Sequence, residues 1–376
     1  MSSIARALTR LGHAVSVVSI THREERSERD GDVEVHRVAL KRRRLLWRFD
    51  PWAPVWNLEY SARVHAKLRE LQRERGFDVI QFPEWGFEGF WFSRRPFCPF
   101  VVKVHGPLFL NRQYDRVERS RLRNWLEDRL ERSVVLRANA IITSSRSMTE
   151  LTAKAWGVSR ERMTLIPNTI DLDVFRPAAG DAASNDEVGI LYVGRLEYRK
   201  GVETLTDAVA KVLTRRPEAR FTLIGRDTPT APGGASVQQQ LESRLAERGV
   251  RAAVRFLPAV DRRELVSFYQ RCQVFVMPSL YEPVGFTGIE AMACGRPVIA
   301  SNNAGLAEWM QAGDCGMLVE PGSADDLAQK LLRFLELPVA TRQAMGQAAR
   351  HVAENFSMER IGRQLEALYR SVLAGT

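Results

Sequence analysis

Short apolar runs, among them AIITS, GILYV, FTLI, VFVM and PVIA, recur along the chain, and most are followed by a stretch with apolar positions at three- and four-residue steps. A run apolar at consecutive positions suits a strand covered on both faces, and its alternation with amphipathic helices specifies βα units and parallel sheets. The chain is 376 residues long, enough for two such domains. With 45% apolar and 27% charged residues it falls outside the disordered and fibrous classes. No window approaches the ~18 uncharged apolar residues of a membrane span, and the N-terminus lacks the features of a secretory signal. The expectation is a cytoplasmic protein.

The periodicity predicts strands over His13 to Ile20, Val33 to Leu40, Phe77 to Phe82, Phe100 to Val104, Ala140 to Ser144 and Met163 to Pro167 in the first half. In the second half it predicts them over Gly189 to Val193, Arg220 to Ile224, Val254 to Leu257, Val274 to Met277 and Pro297 to Ala300, with helices from there to the end. Gln113 to Arg137 reads as one helix whose buried stripe is Leu122, Trp125, Leu126, Leu130 and Val134. The stretch from Asp171 to Val188 loses periodicity and reads as a linker, which sets the expected domains as 1–171 and 188–355, joined by 172–187 and followed by a helix over 356–376 that packs back towards the first domain. The chain opens on a helix, Ser3 to Arg10, that Gly12 ends, where an α/β domain normally opens on a strand and a glycine-bearing turn. The first strand is expected to lie upstream or to be missing.

Residues 1–150 carry 28 Lys+Arg against 19 Asp+Glu, while the remainder carries 27 against 26, so +9 of the net charge of +10 belongs to the first half. Its densest part, KRRRLLWRF from Lys41 to Phe49, interleaves cations with aromatics. One reading is peripheral contact with an anionic membrane at its inner face or with a lipid-linked acceptor; the other is a solvated loop. No nucleic-acid-binding signature accompanies the charge, so no nucleic-acid partner is expected. Cys98, Cys272, Cys294 and Cys315 lie far apart, with neither metal-ligand nor disulfide spacing, and read as packing residues.

The segment SLYEPVGFTGIEAMACGRPVIAS places a turn with Glu282, Pro283 and Gly285 after a strand and starts a helix near Phe286. The amides at a helix N-terminus bind anions, and Gly285 permits close approach of a ligand. Glu282 and Glu290 can both face that crevice, as carboxylates suited to paired sugar or ribose hydroxyls. Each can equally be an ordinary turn or helix acid. In YVGRLEYRKG, Arg195 and Lys200 flank a second strand-to-helix turn between Gly194 and Gly201, where two cations would neutralise a diphosphate without a metal. His105 ends the Phe100 to Val104 run, and Glu84, Trp85 and Glu88 of VIQFPEWGFEG lie where an acceptor could bind or line a packed loop.

GRLEYRKG followed by EPVGFTGIEAMACGRPV resembles the retaining glycosyltransferases of family 4, whose GT-B fold has two facing Rossmann-like domains. IPNTIDLDVF, GMLVEPGSADDLA, the closing FSMERIGRQLEALYRSVL and, upstream, RALTRLGHAVSVVS and VVKVHGP extend the likeness over almost the whole chain. The resemblance implies transfer of a hexosyl group from a nucleotide-diphosphate sugar, UDP- or GDP-linked, to a glycan, lipid-linked or small-molecule acceptor. Retention and no metal or other cofactor are implied as well.

By the same resemblance Arg195 and Lys200 grip the donor diphosphate, Glu290 binds the ribose hydroxyls and Glu282 reaches the transferred sugar. Gly285, Phe286 and Thr287 touch phosphate and sugar through backbone N–H groups, and His105 contacts the sugar from across the cleft. The base would lie near Gly225 and Arg255 to Leu257. The chain departs from the family at its first strand and Gly-Gly loop, at Thr169 in PNT, and in SNNAGLAE with Asn303, Ala304 and Gly305. The alternative to an active enzyme is a sugar-nucleotide-binding subunit completed by a partner or by upstream residues.

Overall fold

The structure is a computed structural model and describes residues 3–40, 53–114, 120–178, 189–310 and 314–375. The basic stretch Lys41 to Phe49 and most of the expected linker lie outside the described residues. The chain divides into two compact units. One comprises Met1–Gln113, Glu118–Thr169 and Met358–Thr376; the other comprises Ile170–Ser357 with Tyr114–Val117.

The second unit is built on a six-stranded parallel sheet: β8 (Ile190–Val193), β9 (Phe221–Ile224), β10 (Val254–Leu257), β11 (Val274–Met277), β12 (Val298–Ser301) and β13 (Gly316–Val319) in the order β10-β9-β8-β11-β12-β13. Consecutive residues of its strands feed two separate cores. Val274, Val276 and Ile299 pack with Leu205, Val209 and Leu331 on one face, while Phe275, Met277, Val298 and Ala300 pack with Ile289 and Met292 on the other. Helices cover both faces, so a strand with no polar position is stable here. β13 is a strand where sequence reading expected only helices. Its first residue must be glycine, since a Cβ at Gly316 would lie 1.9 Å from the Val298 carbonyl oxygen. Of the stretch read as linker, Phe175 is fully buried in the second unit's core, and Asp171 caps the turn by accepting the amides of Asp173 and Val174.

The first unit has a four-stranded parallel sheet, β4 (Ile80–Pro83), β5 (Phe100–Val104), β6 (Ala140–Thr143) and β7 (Met163–Leu165) in sequence order, and a three-stranded sheet ordered β1-β3-β2. In the latter, β1 (Ser16–Thr21) and β3 (Val33–Ala39) are parallel, but β2 (Arg26–Asp30) runs antiparallel to β3. Sequence reading missed β2 because RSERD has no apolar face, a composition that suits an edge strand facing water. The signal was present in Asp30-Gly31, where Gly31 has φ +61° in the hairpin turn. The C-terminal helix Met358–Ala374 buries Ile361, Leu365 and Val372 against Val101, Ile142 and Ile166 of the first unit, and Tyr369 donates to Gln81 at 2.7 Å.

The single helix expected over Gln113 to Arg137 is two elements, Leu108–Tyr114 and Arg121–Val135, on either side of residues not described. Its buried face also differs from the expectation. Leu122 and Trp125 are 58% and 55% exposed, while Glu127, Glu131, Val134 and Val135 are buried. The helix is rotated because its inner acids have partners to satisfy: Arg123 binds Glu127 at 3.0 Å and the amide of Leu108 donates to Glu131 at 3.1 Å. Among the described residues no helix is long and apolar enough to cross a membrane.

Candidate active site

In the six-stranded sheet the strand order reverses between β8 and β11, which are neighbours whose connections leave in opposite directions. Ligands of open α/β sheets bind beyond the carboxyl ends of the two strands at such a reversal. The loops leaving those ends are Gly194 to Gly201 and Pro278 to Gly285, the two segments that sequence analysis singled out.

Backbone crowding sets the local shape. A Cβ at Gly201, where φ is +68°, would sit 1.9 Å from the carbonyl oxygen of Pro278, and one at Gly225 would sit 1.8 Å from that of Gly194. Only glycine allows the loops to approach so closely. Tyr192, fully buried in β8, turns its hydroxyl back to donate to the Arg195 carbonyl at 2.9 Å. Arg199, which sequence reading passed over, is 7% exposed and clamps the two loops, donating to the Tyr281 carbonyl at 3.2 Å and to Glu197 at 2.9 Å. The Leu280 amide completes the clamp by donating to the Arg199 carbonyl at 2.9 Å. The sequence signal for it was weak, since an Arg beside Lys200 in a turn looks like surface charge.

Lys200 and Glu282 are brought together as an ion pair that joins the loops, with side chains 19% and 13% exposed. Arg195 is more open, at 49%, and leans on Glu197 at 3.1 Å. Glu282 is braced through its backbone: its carbonyl accepts the Gly305 amide at 2.8 Å, and Asn303 donates to the Leu280 carbonyl at 3.1 Å. The loop in which the sequence departs from the family pattern therefore supports the site. Gly285, at φ +93°, starts the helix Phe286–Ala293 with no side-chain cap, and the first helical bond runs from the Ile289 amide to the Gly285 carbonyl. The amides of Phe286 and Thr287 precede that bond and have no intrahelical partner.

Glu290 lies one turn further along. Its carboxylate accepts the Tyr269 hydroxyl at 2.8 Å, and burial pushes its pKa up to about 7 against the opposing pull of that hydrogen bond and of Arg262. In the unfolded chain the group ionises near 4.5, so its raised folded value makes a contribution to stability that is lost as pH rises from there to about 7. Urea unfolding should show Glu290→Gln gaining on wild type by on the order of 3 kcal/mol between pH 4.5 and pH 7.5. A constant difference across that range would contradict the burial of the charge. Gly225 follows β9 and donates its amide to Leu257, and Arg255 is exposed on β10.

His105 belongs to the other unit, directly after the fully buried β5. Burial first, and then the neighbouring Lys103 ammonium, lower its imidazole to about 4, so the ring is neutral at physiological pH. Lys103 is itself buried, held by the carbonyls of Ile166 and Pro167 at 3.1 and 3.0 Å, and lowered to about 7. Glu84 does not line a ligand space. It is fully buried, and its carboxylate accepts the amides of His105 at 2.9 Å and Gly106 at 2.7 Å. Trp85 beside it is 58% exposed.

A doubly wound α/β unit with a cationic, glycine-shaped crevice at its strand reversal has the arrangement in which open α/β sheets bind their ligands. The family model described as Glycosyl transferases group 1 matches residues 179–352, and that described as Glycosyltransferase Family 4 matches residues 1–174. The chain belongs to this glycosyltransferase family. It is 29% identical over 256 residues to the D-inositol 3-phosphate glycosyltransferase of Streptomyces bingchenggensis, covering 65% of this chain but 55% of that protein, so the match spans about half the length of that relative. The sucrose-phosphate synthase of Thermosynechococcus elongatus superposes with a TM-score of 0.81 at 24% identity, covering 99% of this chain and 92% of that one. Anabaena HepE, solved with UDP and glucose, superposes with a TM-score of 0.70 at 19% identity over 90% of this chain and 87% of that one. These likenesses establish a GT-B fold.

Proposed function

We propose that the protein transfers a hexosyl group from a nucleotide-diphosphate sugar to an acceptor hydroxyl, with retention and without a metal. The observation that carries this reading is the Lys200–Glu282 ion pair at the strand reversal, with Arg195 and the uncapped start of the helix Phe286–Ala293 alongside. A diphosphate bound there would meet two cations and the free amides of Phe286 and Thr287, which together neutralise charge as the bond from the anomeric carbon to phosphate oxygen breaks. The acceptor oxygen forms its bond to that carbon, and its proton passes to the departing phosphate oxygen. Lys200 holds Glu282 in place to accept hydrogen bonds from the transferred sugar. Glu290 does the same for the ribose. A neutral His105 contacts the sugar as a hydrogen-bonding group.

Because HepE was solved with UDP and glucose, UDP is the first nucleotide to try. Thermal melting of the purified chain with UDP, GDP, ADP and dTDP, in EDTA, tests the reading. One nucleotide at 100 times its Kd should stabilise the fold by about 2.7 kcal/mol, and Glu290→Ala should remove the effect. The absence of any shift in a cooperatively melting protein, or a shift that appears only with added Mg2+, would refute the metal-free donor site.

A further inference from the structure

The turn His105–Leu108 offers three backbone amides, since Pro107 has none, and buried carboxylates take all three. Glu84 accepts those of His105 and Gly106, one on each carboxylate oxygen, and Glu131 accepts that of Leu108. Both side chains have zero exposure. They reach the turn from different elements, Glu84 from the end of β4 and Glu131 from the helix Arg121–Val135. The Asn111 side chain holds the Gly106 carbonyl at 2.8 Å, and the Glu84 amide is itself tied to the Lys103 carbonyl at 3.3 Å.

A buried carboxylate is an expensive acceptor for a backbone amide, because a carbonyl or hydroxyl would serve with far less desolvation. What the carboxylate adds is rigidity. Two short bonds, at 2.9 and 2.7 Å, to successive amides fix both the position and the rotation of the peptide plane that carries the imidazole. Burial pushes both carboxyls up, and the amides they accept pull them part of the way back; of the neighbouring cations, Arg112 lies 3.6 Å from Glu127 and pairs with Asp128, while Arg123 pairs with Glu127. This also explains why the helix turns its acids inward and leaves Leu122 and Trp125 outside.

We infer that Glu84, with Glu131 at the far end of the same turn, is a positioning residue that sets the His105 imidazole for contact with the transferred sugar. The inference rests on the proposed role of His105, and the experiment separates the two. Full-length Glu84→Gln, Glu131→Gln, His105→Ala and the double variant Glu84→Gln/His105→Ala are compared by UDP release from UDP-glucose in water and by UDP binding. Imidazole titration in 15N-histidine-labelled protein is followed alongside, with His105→Ala assigning the resonance.

A glutamine accepts one amide and turns its NH2 against the other, so Glu84→Gln should lower kcat about 100-fold with UDP affinity unchanged. It should add less than about threefold in the His105→Ala background. In the titration, His105 should move from about 4 in the wild type towards an ordinary histidine value as the turn loosens. Glu131→Gln should give a smaller change of the same kind, and it carries the test if Glu84→Gln does not fold. Full additivity in the double variant, or an unchanged His105 titration, would overturn the positioning role while leaving His105 its own. Wild-type turnover in His105→Ala would remove the role of His105 and the inference with it. No turnover of UDP-glucose by the wild type would leave the titration to decide.

Discussion

Lys200→Ala is expected to lower kcat for the nucleotide sugar selected by the binding screen about a thousandfold, in a protein that still melts cooperatively. The lysine has two tasks in one place. Its ammonium pairs with Glu282 across the two loops, and it stands beside the uncapped helix start where a diphosphate would sit. Removing it takes away a cation that would stabilise charge growing on the leaving phosphate, and it leaves Glu282, a largely buried acid, without its partner. Arg195→Ala should cost about a hundredfold, because that guanidinium is half exposed and water replaces part of its effect. Steady-state kinetics with purified variants checks both. Turnover within tenfold of wild type in Lys200→Ala would mean that the diphosphate is held elsewhere.

Gly201→Ala should cost more than about 4 kcal/mol of stability, and Gly249→Ala about 1 kcal/mol. Both glycines have positive φ, +68° and +69°, so both substitutions carry the same backbone strain. Only Gly201 has the Pro278 carbonyl oxygen 1.9 Å from the position of a new Cβ, while nothing lies within 4 Å at Gly249. The obstacle is backbone, so it yields only if the loops after β8 and β11 separate, and that would also part Lys200 from Glu282. Urea unfolding of the two variants side by side isolates the close approach from the strain. Equal losses would show that the loops have room to move.

The two candidate loops of the second unit were legible in the sequence because their parts are local. A strand, a glycine turn and a helix start are each written in consecutive residues, and the charges that matter sit within those turns. Local pattern marked the turns that hold Arg195, Lys200, Glu282, Gly285 and Glu290, but Glu282 and Glu290 taken singly read equally as ordinary acids, and only the family resemblance gave them roles. Arg199 and Tyr269 were not picked out, since nothing local distinguishes a loop-clamping arginine or a buried tyrosine donor from ordinary surface and core residues. The same limit explains the helix Arg121–Val135. Its apolar periodicity favours burying Leu122 and Trp125, and the opposite face wins because Glu131 meets the Leu108 amide from a segment 23 residues away in sequence.

The sequence by itself determined the α/β class, most of the strands and the two glycine-bearing strand-to-helix turns, because strand pattern, helix pattern and turn glycines are short-range properties of the chain. Tertiary structure alone decided the strand reversal between β8 and β11, the Lys200–Glu282 pairing 82 residues apart, and the fate of Glu84. Glu84 reads equally as an acceptor-side acid and as a packed-loop residue, and it is a buried acceptor for the His105 turn. The physical reason is common to the last two. A charged side chain's role depends on which partner removes the cost of its burial, and that partner is set by the packing of distant segments rather than by neighbours in sequence.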